Sequence, residues 1–431
     1  MELVQHARSG RWSTLFGYAL FVGMMAVGYY YNVTFVQLGL VDLGTRLIGM
    51  SRQAVAMNMA WLALGSAVTA LLFGLLMKRL GWGEQFVVKL RIACGVVLAQ
   101  TLLTAVIPVI RSETLFLLWV VGAALTLGVG MPATFSMTVD LIPRRDRGYA
   151  AAAITGLSYF AAALFSSNWQ IEQLRAQILL PMVAGTLAIG VMAFARLPLV
   201  ERLAAQHTRP EFGRGRFVQI TPEGKPRISR RLIVFFVLMF GVYFVDSLGF
   251  LRIIETPAYV EAAWLSPEVS VRTVIAITHV ITALIGGVLY SSLSEKSLFL
   301  WIFGVFALVH LMYVFDNRIS PGDTSALAMP VLYATAVSLY TVVNFAIWAD
   351  ISTPQTISVN AAVGVALSGW AATFLSTALS IRWQARGMPL DTHLRIVDSL
   401  AMLFFLFMLT LLFIPARRMT TAASPDEGQE R

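Results

Sequence analysis

Charge is scarce in this chain. Only 13% of its 431 residues are Asp, Glu, Lys or Arg, against 58% hydrophobic residues. So few charges cannot cover so much apolar surface, which excludes a soluble globular protein. Cysteine is scarcer still, and the single one, Cys94, excludes an intrachain disulfide. Among the five histidines there is no His-Glu-x-x-His run and no Cys/His metal spacing, so no metal site and no membrane protease are expected. The glycine-rich phosphate loop is missing too, which argues against ATP drive. No nucleophile, base and metal set clusters anywhere. The expectation is therefore not an enzyme, with no cofactor.

What is present is a series of apolar runs, each about 20 residues long, enough to cross a bilayer as helix. They fall at 12–38, 54–78, 86–110, 114–139, 148–168 and 174–196, then at 231–252, 270–292, 297–315, 325–349, 356–382 and 394–416. An interval rich in Pro, Gly and Arg separates the two series and has no apolar periodicity, as a linker would. The predicted organisation is a six-helix half over 1–196, a basic cytoplasmic linker over 197–230, a second six-helix half over 231–416 and a cytoplasmic tail over 417–431. The fold class is all-α integral membrane, with twelve transmembrane helices in two pseudo-symmetric halves.

The net charge of +9 fits orientation in a membrane better than nucleic-acid binding. Lys and Arg concentrate in alternate connections, above all in the linker, which places both termini in the cytoplasm of a plasma or inner membrane. Arg382, Arg386 and Arg395 run against this trend. The N-terminus lacks an A-x-A cleavage site and reads as a retained first helix.

One stretch recurs. Asp140 to Ser167 returns at Asp350 to Thr377 without a gap, pairing Ala151-Ala152 with Ala361-Ala362, Leu157-Ser158 with Leu367-Ser368, and Ser166 with Ser376. Alanine-rich segments match in part by accident. Both copies nevertheless begin where the fourth run of a series ends and continue through the fifth. Parallel halves of this kind commonly hold a small-molecule site between them.

Six plus six helices with a basic linker resemble the major facilitator superfamily. The connection after the second run, Gly74-Leu75-Leu76-Met77-Lys78-Arg79-Leu80-Gly81, resembles that family's signature at Gly74, Arg79 and Gly81, but carries Lys78 where the family has Asp. A fainter echo is Gly287 to Leu293. Asp140-Leu141-Ile142-Pro143 with Arg147-Gly148 is similar to the family's Asp-x-x-Pro…Arg-Gly approach to the fifth helix. The resemblance spans about residues 12–416. It implies two halves that rock about a central site, with Asp140, Arg79, Asp350, Gly74, Gly81 and Arg147 as gating residues. Lys78 cannot clasp the halves as the family's Asp does. Asp140 and Asp350 remain as partners for Arg79 or for one another's neighbouring loops, or serve only to favour a helix dipole.

Ionisable groups inside a membrane are costly, so they are candidates for function. Asp246 is the one carboxylate deep in an apolar run, on a face with Tyr243 and Phe250. It suits a cationic group or a proton, and equally a bond to outer water or to a neighbour. His279, with Thr282 and Gly286, either pairs with Asp246 and titrates, or is a neutral ring bonded to backbone. Tyr333, Tyr340, Thr341 and Asn344 make a polar stripe, and Tyr29 and Asn32 another. Such faces frame a ligand, or are packed helices and interface belts. Asn360 and Trp370 add to the set, as do Pro132, Thr134 and Thr138.

The reading is a secondary transporter of a small organic solute, monomeric in the lipid bilayer, driven by protons or by the solute gradient. The alternative is a membrane assembly factor or pigment-handling scaffold on the same fold. The charge pattern generates a direct test. Green fluorescent protein fused after Arg431 is expected to fluoresce, and alkaline phosphatase fused there to stay inactive. The opposite pair of results would put the C-terminus outside.

Overall fold

The computed structural model describes residues 8, 11–218, 230–292, 295–319 and 327–413. The linker stretch 219–229 and the tail 417–431 lie outside the described residues. The chain is all-helical. The first set comprises α1 (Trp12–Ile48), α2 (Arg52–Arg79), α3 (Phe86–Ala105), α4 (Glu113–Leu141), α5 (Arg147–Leu164) and α6 (Ile171–Phe194). The second comprises α7 (Arg230–Ile254), α8 (Val269–Ser292), α9 (Glu295–Ile319), α10 (Ala328–Asp350), α11 (Ile357–Ala385) and α12 (Leu390–Phe413). Among the described residues, eleven of these helices are long and apolar enough to cross a membrane. The protein is a multi-pass membrane protein. The exception, α5, has 18 residues, begins on an arginine and is built mostly of small side chains.

Local chemistry sets the helix ends. Ser51 caps α2, its hydroxyl accepting from the Ala54 amide at 3.1 Å, and Ser112 caps α4 through the Leu115 amide at 3.3 Å. Gly49 (φ +81°) ends α1 and Gly81 (φ +66°) follows α2, where a side chain would be strained. Widened π turns interrupt α1 at Tyr31–Leu38 and α11 at Ala362–Ala371. Such turns recur at functional sites because they re-aim side chains. Pro132 lies inside α4, where the Ser136 hydroxyl bonds back to the Pro132 carbonyl.

In lipid, helices associate by close packing of small residues rather than by a hydrophobic force. The packing repeats when each helix number is raised by six. Thus α2 lies on α4 and α8 on α10, α3 on α6 and α9 on α12. Between the sets, α2 meets α11 and α5 meets α8, a pairing that maps onto itself under the same shift. The recurring sequence occupies these equivalent places. A Cβ on Gly74 would stand 2.8 Å from both the Ala362 Cβ and the Ser358 carbonyl oxygen of α11. A Cβ on Gly287 would stand 2.8 Å from the Ala152 Cβ and 2.9 Å from the Gly148 carbonyl oxygen of α5. In the sequence repeat Gly148 pairs with Ser358, and Ala152 with Ala362. The most enclosed span is α10, 83% buried, whereas α6 is 22% buried and peripheral.

These contacts leave no room for side chains. Gly74→Leu and Gly287→Leu are each expected to destabilise the fold by about 1–3 kcal/mol, the usual cost of overpacking. The check is the unfolding midpoint in detergent, compared with Gly95→Leu on α3, where a Cβ meets nothing within 4 Å.

Candidate functional site

A cavity of about 670 Å³ lies between the two helix sets. Its walls come from α1, α3, α4, α5 and α6 on one side and from α7, α8, α10 and α11 on the other. All nine residues expected to bind a solute or proton line it: Tyr29, Asn32, Tyr243, Asp246, His279, Tyr333, Tyr340, Asn344 and Trp370. The π turns carry Asn32 and Trp370 to the wall.

Asp246 is the centre of the polar wall. The Tyr340 hydroxyl donates to one carboxylate oxygen at 2.7 Å, and the Tyr333 hydroxyl donates to the other. Tyr333 and Tyr340 lie seven residues apart on α10, two turns along one face, so a single helix presents both donors. Aromatic rings enclose the acid. Tyr243 meets Tyr340 edge-on at 5.1 Å between centroids, Phe250 stacks on Tyr333 at 5.7 Å, and Trp264 meets both Phe250 and Tyr333 edge-on.

His279, read either as a partner of Asp246 or as a ring bonded to backbone, bonds another side chain instead. His279 Nδ1 lies 2.8 Å from the Ser338 hydroxyl, and its ring stacks on Tyr159 at 4.6 Å. Tyr159 also shares a hydrogen bond with Tyr29 at 2.7 Å and one with Thr341 at 3.3 Å. It therefore ties α1, α5, α8 and α10 together at the cavity. Sequence reasoning missed it. The available signal was a phenol in the middle of a helix of small residues. Asn344 lines the wall while accepting from Trp348 Nε1 at 3.0 Å. Thr134 reaches the cavity, whereas Asn360 turns away and donates to the Ser352 hydroxyl at 2.9 Å.

At the end of the bundle where the linker lies, a buried charged layer closes the space. Arg147 and Asp350, both with fully buried side chains, pair across the helix sets at 3.1 Å. Arg147 also donates to the Ala349 carbonyl at 2.9 Å. Asp350 accepts from Arg216 of the linker at 2.6 Å and from the Tyr290 hydroxyl at 2.9 Å. The linker backbone is sewn onto the start of the second copy of the repeat and onto the residue before the first: the Gly213 amide donates to Val139 at 2.9 Å, Gly215 to Ser352 at 2.8 Å and Phe217 to Asp350 at 2.8 Å. Asp140 pairs with buried Lys89, and His207 lies 3.6 Å away. Arg79, one of the partners considered for these acids, is exposed on the last turn of α2, whereas Asp350 takes Arg147 from the stretch that follows Asp140. Lys89, Arg216 and Tyr290 were missed; only Lys89 left a sequence signal, a cation within an apolar run. Beyond the far end of α7, burial holds the Glu255 carboxyl above its usual pKa while Arg252 pulls it down. Gln384, on α11, donates to it at 2.8 Å.

No protein-family model and no curated protein sequence matches the chain. Solved structures do. The proton:xylose symporter XylE of the major facilitator superfamily, bound to 6-bromo-6-deoxy-D-glucose, matches with a TM-score of 0.64 at 14% identity, over 94% of this chain and 96% of that one. The human organic anion transporter MFSD10 (TETRAN) matches with a TM-score of 0.57 at 16% identity, over 92% and 98%. The chain has the major facilitator fold.

Removing one partner of a buried ion pair strands the other. Asp350→Ala leaves Arg147 and Arg216 facing each other, and is expected to cost about 3–5 kcal/mol. Adding Arg147→Ala to it should recover part of that loss, read from denaturant unfolding in mixed micelles.

Proposed function

We propose that the chain is a secondary transporter that moves a small organic solute by alternating access, with residues 1–196 and 231–416 as the two moving bodies. The observation that carries this reading is the placement of Asp246. A carboxylate at the centre of a membrane bundle is costly unless it is used, and this one faces a cavity large enough for a small solute.

In this reading the roles divide by position. Asp246 takes a cationic group or a proton. Tyr333 and Tyr340 hold its oxygens until the ligand competes for them. Tyr243, Tyr29 and Trp370 frame the solute, while Asn32, Asn344 and His279 offer polar contacts. Arg147 and Asp350 form the gate at the linker end, with Asp140 anchored by Lys89 beside them. Gly74 and Gly81 permit the close approach and the turn that shut it, and Arg79 stands at the rim. Opening that end requires the Arg147–Asp350 pair to part and the linker at 213–217 to leave the repeat backbones. The gate end faces the cytoplasm of a plasma membrane, with both termini on that side, and the working unit is a monomer. A non-transport scaffold would have a sealed, apolar centre, and the carboxylate-bearing cavity favours transport.

Asp246→Asn keeps the shape and removes the charge. Uptake into proteoliposomes is expected to fall at least about 10-fold, the scale of a lost hydrogen bond to a charged group. Tyr333→Phe should fall less, because Tyr340 still holds the acid. Full uptake by Asp246→Asn would sink the assignment.

A further inference from the structure

The cavity is not confined to the interface between the helix sets. It continues behind α1 as an arm bounded by α3 and α6. The arm's walls are mostly apolar, with Gln100 of α3 as a polar member. Ala19, Gly23 and Val27 form a stripe on α1, facing Val97 of α3 and Gly185 and Ala188 of α6. A Cβ on Gly23 or Gly185 would meet nothing within 4 Å. One end of the arm is shut where Thr104 bonds the Tyr31 hydroxyl at 3.2 Å and touches the Met182 sulfur at 3.7 Å. The other end is shut where Gly17 packs on Leu203 and Leu141, at 3.0 and 3.2 Å from its Cβ position. Between these closures the α1 stripe itself is exposed at Ala19, Gly23 and Val27, Val27 to 59%. The arm therefore reaches the lipid-facing perimeter.

Among the described residues, the second helix set is filled at the equivalent place. On α7, the counterpart of α1, Gly241 is covered by Phe404 of α12, 2.6 Å from its Cβ position, and Gly249 by His310 of α9. The opening behind α1 is thus particular to one side of the molecule and not a property of the packing scheme.

Charge selects the ligand. Asp246 is the one acidic residue among the described residues of the wall, and no Lys or Arg lines it. The acid sits within rings of Tyr243, Phe250, Trp264, Tyr333 and Tyr340. A carboxylate inside an aromatic enclosure suits an organic ammonium ion, whose charge is attracted both by the acid and by the ring faces.

Resting on the transporter reading above, we infer that the solute is a cationic amphiphile: its ammonium head lies at Asp246, and its alkyl tail lies in the arm between α1, α3 and α6, entered from the bilayer. The test is equilibrium binding of radiolabelled tetramethylammonium and decyltrimethylammonium ions to the full chain in lipid nanodiscs, with empty nanodiscs subtracted. The decyl ion is expected to bind at least about tenfold tighter, because buried methylenes add affinity. Gly23→Trp and Gly185→Phe fill the arm from two sides and should cut that gain to about threefold or less. Leu187→Trp, on the outer face of α6 and not in the wall, should keep the gain. Asp246→Asn should lose both ions. Equal affinities for the two ions, or a tail gain that survives in both arm variants, would overturn the amphiphile inference and leave the Asp246 site standing. Absence of any Asp246-dependent binding would overturn the site and the inference together.

Discussion

Two backbone contacts hold the rest of the molecule in place. At Gly74 and at Gly287 a helix of one set lies so close to a helix of the other that no side chain fits between them. In lipid nothing pulls helices together except packing and polar contact, so an approach this close must come from small residues. It sits beside the buried pair of Arg147 and Asp350. Shape and charge reinforce each other there. Without the glycines the pair could not be dry, and without the pair two buried charges would oppose the approach. The cavity exists because the sets meet tightly at this end and diverge from it.

The repeat supplies a scaffold, and the chemistry departs from it. Both copies contribute the same close contact between helices, but their polar groups differ. The second set carries the acid, the two phenols that hold it and the histidine. The first set contributes Tyr29, Asn32 and Tyr159. Tyr159 corresponds in the repeat to Gly369, and at that place Tyr243 of α7 fills the space, its ring 3.6 Å from the Gly369 Cβ position. A phenol arises from the interface helix in one half and from the central helix in the other. The acids diverge as well. Asp140 pairs with Lys89 inside its own set, whereas Asp350 reaches across to Arg147 and out to the linker. One copy became an anchor and the other a clasp.

The linker takes a larger part than its composition suggests. Its Gly-, Pro- and Arg-rich sequence reads as solvated chain. In the fold, residues 213–217 donate to the carbonyls of Val139, Ser352 and Asp350, and Gly215 lies so close to Asp350 that only hydrogen fits at its Cα. The strap completes the charged layer with Arg216. In the transporter proposed above, opening of this end would involve the linker as well as the helices.

Much of the architecture was legible in residue order. The helix series, the repeat and the polar faces of α1, α7 and α10 follow from hydropathy and from spacing along a helix, which are local properties. That is why Asp246, Tyr333 and Tyr340 could be chosen beforehand, and why all nine candidate residues reached one wall. What could not be read was which group meets which. Asp246 faces Tyr333 and Tyr340 and not His279; Asp140 takes Lys89 and Arg79 takes neither acid; the strap ends on Asp350. Each of these joins positions far apart in the chain, and each depends on the rotation of one helix against another. The sequence by itself determined which faces are polar, because periodicity is written residue by residue. Only the tertiary structure decided the partners and opened the space behind α1, because packing distances between helices belong to no single segment.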